Sequence, residues 1–75
     1  MKKLINSKIK KETDKAYLIQ VEIENESSSL DLWFPKSMTF PEKFNDSCYG
    51  DIYVEDYILD LKNEEIGAYI LSENY

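Results

Sequence analysis

Apolar and polar residues alternate along "KAYLIQVEIE", Lys15 to Glu24, with Tyr17, Ile19, Val21 and Ile23 on one face and Ala16, Leu18, Gln20, Glu22 and Glu24 on the other. Successive strand side chains point to opposite sides, so a period of two predicts a half-buried β-strand. "NESSS", Asn25 to Ser29, is turn material. "LDLWFP" then resumes the alternation, with Leu30, Leu32 and Phe34 inward and Asp31 and Trp33 outward. The two runs predict a hairpin. Upstream, "LINSKIKKE" reads as a first strand with Ile5 and Ile9 inward, weakened by Ser7 between them, and "ETDKA" as the turn that brings the chain back.

Pro35 breaks the pattern, because proline lacks the ladder N–H and sits where a strand ends or runs along an edge. A second proline opens "PEKFNDSCYG", which reads as an acidic, polar loop closing at Gly50. "DIYV" is then a short strand. Val54, Tyr57, Ile58 and Leu61 recur at spacings of three, four and seven, the stripe of an amphipathic helix over about residues 55–65. Glu55 and Asp56 fall in its first turn, where carboxylates favour the positive end of the helix dipole, and Gly67 is a natural stop. "AYIL", Ala68 to Leu71, is apolar enough to form a last strand. The expected fold is α+β and mostly antiparallel: a small sheet of four or five strands, or a partly open barrel, with one short helix across it. Its expected core is Ile19, Val21, Leu32, Val54, Ile58 and Leu61.

Composition narrows the chemistry. The 75 residues make a single domain (1–75, with 1–14 as a basic N-terminal strand or arm), and 43% hydrophobic with 32% charged residues is globular composition. No apolar run approaches the roughly 20 residues of a membrane helix, and "MKKLINSKIKK" is not followed by the apolar segment of a signal peptide, so a cytoplasmic location is expected. Cys48 is the sole cysteine, which rules out an internal disulfide and, without other soft ligands, a structural zinc site. Histidine is absent, which removes the usual general base and the usual metal ligand. No catalytic residue, cofactor or metal ligand is expected, and an enzyme is disfavoured. Lys36 and Ser37 lie on an expected loop without the burial that lowers a lysine pKa, so a Ser-Lys dyad is not indicated.

The stretch "KAYLIQVEIE…LDLWFPKSMT…DIYVEDYILDLK" resembles a group of short bacterial and phage-borne proteins. They share an apolar strand, a Trp-x-Pro-Lys-Ser segment matched here by Trp33, Pro35, Lys36 and Ser37, and a short strand leading into a helix, with Tyr57 as the aromatic at the helix start. The likeness spans roughly residues 12–66. It implies a fold and a phage or mobile-element setting, and brings no activity with it.

Charge supplies the functional expectation. Residues 1–15 hold six lysines against Glu12 and Asp14, a net of +4, whereas residues 16–75 hold three lysines against thirteen acids, a net of −10. So acidic a body repels a phosphate backbone and suits a basic surface on a protein partner. Solvated acids that keep a small protein dispersed are the plainer reading of the same residues. Trp33, opposite Leu32 and Phe34, is core if both sheet faces are covered, the favoured reading, and a contact residue if one is open. The expected partner-binding residues are Glu22, Glu24, Asp31, Trp33 and Lys36. The resulting expectation is a small acidic binding protein, a phage or mobile-element accessory that occludes a basic surface of a host defence or nucleic-acid-processing protein. One alternative is a small-barrel binder of single-stranded nucleic acid, with Trp33, Phe34 and Tyr17 stacking on bases and the N-terminal lysines tracking phosphate. Another is a structural homo-oligomer that buries its sheet edges.

Overall fold

The computed structural model describes residues 1–45 and 48–74. In chain order it has β1 (Lys2–Leu4), β2 (Lys8–Glu12), β3 (Ala16–Glu22), β4 (Ser29–Pro35), a single 3₁₀ turn (Lys36–Met38), β5 (Thr39–Asn45), β6 (Cys48–Val54), α1 (Asp56–Ile66) and β7 (Ser72–Asn74). The strands form two antiparallel sheets and no closed barrel. One has the order β5-β6-β1-β7, the other β2-β3-β4. The fold is α+β, as the residue pattern predicts, with the expected single sheet resolved into two.

The expected first strand is two strands in different sheets. Asn6 adopts φ 55°, a left-handed conformation that asparagine tolerates better than most residues, and it breaks the extended run between Leu4 and Lys8. The basic N-terminal segment is thereby built into both sheets: β1 lies between β6 and β7, and β2 pairs with β3. Thr13 closes the β2–β3 turn, its hydroxyl oxygen accepting from the Ala16 N–H at 3.1 Å. The expected hairpin of β3 and β4 forms, with Ile19 opposite Leu32 and Leu18 opposite Trp33.

The expected loop at residues 41–50 is largely a second hairpin, β5 paired with β6 through two irregularities; Asp46 and Ser47 lie outside the described residues. Pro41 is accommodated because β5 is an edge strand. Gly50 leaves room for the Phe44 ring that crosses it: a Cβ there would lie 2.8 Å from Cζ, and the exposed ring would have to shift. The last strand begins later than expected, at Ser72, and Ile70 makes only an isolated bridge to Ile23.

Both sheets turn their apolar faces to one core of Leu4, Ile52 and Val54 from the first, Ile19, Val21, Ile23 and Phe34 from the second, Ile58 and Leu59 from α1, and Ile70. Two expected members change places. Leu61 is 39% exposed and Leu59 is buried in its stead, because α1 is rotated so that Tyr57 and Leu61 face outward. Leu32 is only partly buried and packs against the core's rim. Leu30 is exposed at the start of the edge strand β4. No helix among the described residues is long and apolar enough to cross a membrane.

Candidate binding surfaces

The outward face of the β2-β3-β4 sheet carries three of the five residues expected from sequence. Trp33 and Asp31 alternate outward on β4 opposite Leu18 and Gln20 of β3, and Glu22 lies two residues further along that strand. Trp33 is 43% exposed, so the favoured core reading is corrected. The helix joins the shared core on the opposite face and leaves this one open. Asp31 is not a free carboxylate: Lys10 of β2 reaches it at 3.9 Å across β3. Glu24 lies past the end of β3, exposed, with its backbone N–H donating to the Tyr69 carbonyl at 2.8 Å.

Lys36 belongs elsewhere. Its ammonium lies 2.5 Å from Oε2 of Glu12 and 5.1 Å from the centre of the Tyr17 ring. The Tyr49 hydroxyl donates to the other Glu12 oxygen at 2.7 Å, and the Tyr17 and Tyr49 rings meet edge to face at 6.4 Å. Four residues from β2, β3, the 3₁₀ turn and β6 thus make a polar latch between the two sheets. The Lys36 hydrogen bond, aided by that of Tyr49, holds the Glu12 carboxyl below the usual glutamate range, and Glu12 in turn raises the Lys36 pKa. A similar pairing at β1 and β7 joins Lys3 to Glu73 at 2.7 Å and raises the Lys3 pKa. Tyr17 and Phe34, expected as base-stacking platforms, point inward: Tyr17 is part of the latch, and Phe34 is fully buried beneath the Lys62 ammonium.

A different arrangement occupies the C-terminal end of α1. Gly67 takes φ 67°, and the chain turns there through paired hydrogen bonds, Gly67 N–H to the Glu64 carbonyl at 3.3 Å and Ala68 N–H to the Asn63 carbonyl at 3.2 Å. Asn63 also uses its side-chain oxygen to accept from the Ile70 N–H at 2.9 Å, which ties the following segment to the helix. Between helix and segment lies a groove of about 490 Å³ lined by Asp60, Asn63, Glu64, Gly67, Ala68 and Tyr69. Tyr69 is 70% exposed beside it. Asp60 and Glu64 stand one turn apart on the outward face, and neither is ion-paired among the described residues. Sequence reasoning did not include Asp60, Glu64 or Tyr69 among the expected binding residues. The available signal was two acids four residues apart just before a terminating glycine, where a helix ordinarily favours lysine or arginine.

No known family model matches the chain, and no curated protein or solved structure is significantly similar to it. The chemistry of the surfaces is therefore the guide. Among the described residues no three acidic or thiol side chains are arranged to hold a metal ion.

Proposed function

We propose that this protein is a small, non-enzymatic binding module whose carboxylates engage a basic surface on a protein partner. The observation that carries this reading is how the charges are used. Three lysines of the N-terminal strands are drawn into contacts within the fold, Lys2 with Asn74, Lys3 with Glu73 and Lys10 with Asp31, while Lys8 and Lys11 have no acidic partner among the described residues. Glu22, Glu24, Asp60 and Glu64 have no cationic partner among the described residues. The excess negative charge is thus presented to solvent from β3, the loop after it and α1. The setting suggested by the Trp-x-Pro-Lys-Ser resemblance, a phage or mobile-element accessory, makes a host defence or nucleic-acid-processing protein the natural class of target, its phosphate-binding surface being the basic one that carboxylates occlude.

The test is binding kinetics against purified basic nucleic-acid-binding proteins of the host, with a single-stranded oligonucleotide run in parallel. Association with a basic protein should be fast at low salt and slow as ionic strength rises past about 0.1 M, where the Debye length is about 10 Å. Salt-sensitive binding of the oligonucleotide instead, abolished when Lys8, Lys10 and Lys11 become Ser, would replace this reading with the nucleic-acid one. Burial of Phe34 and enclosure of Tyr17 speak against that outcome, since they leave Trp33 alone of the expected stacking residues on an open face. Self-association is the second reading, favoured by Phe44, which is 68% exposed on the edge strand β5. Sedimentation across a concentration series distinguishes it.

A further inference from the structure

We propose that the groove at the C-terminal end of α1 receives an extended, arginine-bearing segment of the partner, with one guanidinium held between Asp60 and Glu64 and stacked on Tyr69. The inference rests on the acidic-module reading and names the place and the side chain that reading leaves open. Four features converge. The groove exists without rearrangement, shaped by the Gly67 turn and the Asn63 hydrogen bond to Ile70. Its two carboxylates are four residues apart on a helix, neighbours on one face, and neither is ion-paired among the described residues. Its aromatic wall is a tyrosine ring that solvent reaches freely. Finally, the helix ends there with no basic residue in its last turn, so the carbonyl end of the dipole adds its negative potential to that of the carboxylates.

That last feature works against the helix itself. Like charges four apart repel, and acids near a helix C-terminus oppose the dipole. The local rule is broken where α1 borders the groove, and a cation from outside would satisfy both interactions. Arginine fits better than lysine because its planar fork can address two carboxylates at once and its face stacks on an aromatic ring. An extended segment fits because the opening at Gly67 is unobstructed, with nothing within 4 Å of where a Cβ would stand.

The experiment uses the full ¹⁵N-labelled chain and three acetylated peptides of equal length, alternating serine with arginine, lysine or glutamate. The arginine peptide should shift the amide signals of Asp60 to Tyr69. Its affinity should fall about tenfold or more in D60N/E64Q, less in Y69A, and it should exceed that of the lysine peptide, with the glutamate peptide silent. Both variants change exposed side chains, and the unliganded spectra establish that each folds. Arginine-peptide shifts confined to the face around Trp33, with D60N/E64Q binding normally, would overturn the groove while leaving the acidic-module reading in place. Failure of both the peptide and every basic protein to bind at low salt would overturn the reading itself.

Discussion

Around Tyr17 the charges close on one another: Lys36 sits over the ring and on Glu12, and Tyr49 takes the remaining carboxylate oxygen. Around Tyr69 the same kinds of residue stay open, with Asp60 and Glu64 beside an exposed ring and no lysine brought to them. The first group joins three strands of the two sheets and the 3₁₀ turn, and is explained by the fold. The side chains of the second form no such latch among the described residues, and its carboxylates oppose the helix that carries them. A charged residue consumed by internal pairing is a poor candidate for recognition however suggestive its sequence neighbours are, as Lys36 shows. One left unsatisfied at a groove is the better candidate.

The comparison can be broken in several ways, beginning with the scaffold beneath the open region. Ile70, on the segment that follows α1, is buried and bridges Ile23 just past β3, and Ile70→Ala should lower stability by about 2–5 kcal/mol in urea unfolding. Leu61→Ala, on the outward face of the same helix, should change it by no more than about 0.5 kcal/mol. Equal costs would mean that α1 is seated differently and that the groove is not where it is drawn.

A smaller loss is expected at the turn. Gly67→Ala meets no steric obstacle but must hold a left-handed conformation, at a cost of about 1–2 kcal/mol. A neutral result would show that the turn is not held at that φ.

The latch should reveal itself through pH. Glu12 has a folded pKa below its unfolded value of about 4.3. Its contribution is therefore present above the unfolded value and lost as pH falls through the folded one. Lys36, raised above about 10.4, contributes below that value and loses its contribution as pH rises through the folded one. E12Q should flatten part of the decline in stability on the acid side of pH 4 while leaving the groove's peptide affinity unchanged, and the effect should be modest because both groups reach solvent. An acid limb identical in E12Q and the native chain would show that the latch is not formed in solution.

The smallest effect has the opposite sign. D60N/E64Q removes a like-charge pair and an adverse dipole interaction, so it should stabilise the chain by about 0.2–0.5 kcal/mol in thermal or urea unfolding. Destabilisation would mean that these carboxylates serve the fold after all.

Much of the fold was legible because burial is one-sided: the strict alternation from Tyr17 to Ile23 and the Gly67 stop left few alternatives. What was not legible depended on context. Whether "PEKFNDSCYG" is loop or strand is decided by the pairing of β5 with β6 and by Phe44 over Gly50, contacts invisible to a local pattern. Tyr57 and Leu61 fit a helical stripe as well as Ile58 and Leu59 do, and only packing against both sheets chooses the rotation. Of the expected site residues, Asp31 and Lys36 are partnered within the fold, a long-range fact that no spacing reports. Glu22, Glu24 and Trp33 stand exposed or partly so, as alternation suggests, but β strands and the β3 loop separate them from the groove carboxylates in sequence.

The account turns on the position of free charge, and a charge-matched pair of variants tests it most directly. D60N/E64Q and E22Q/D31N alter net charge equally, one at the end of α1 and the other on the face beside Trp33. Association rates with the arginine peptide, measured at low and high salt, should fall about tenfold in the first variant at low salt and lose most of their salt dependence, while the second stays close to the native chain. Equal slowing in the two would show that total acidity governs the encounter, and the assignment of recognition to the α1 groove would be contradicted.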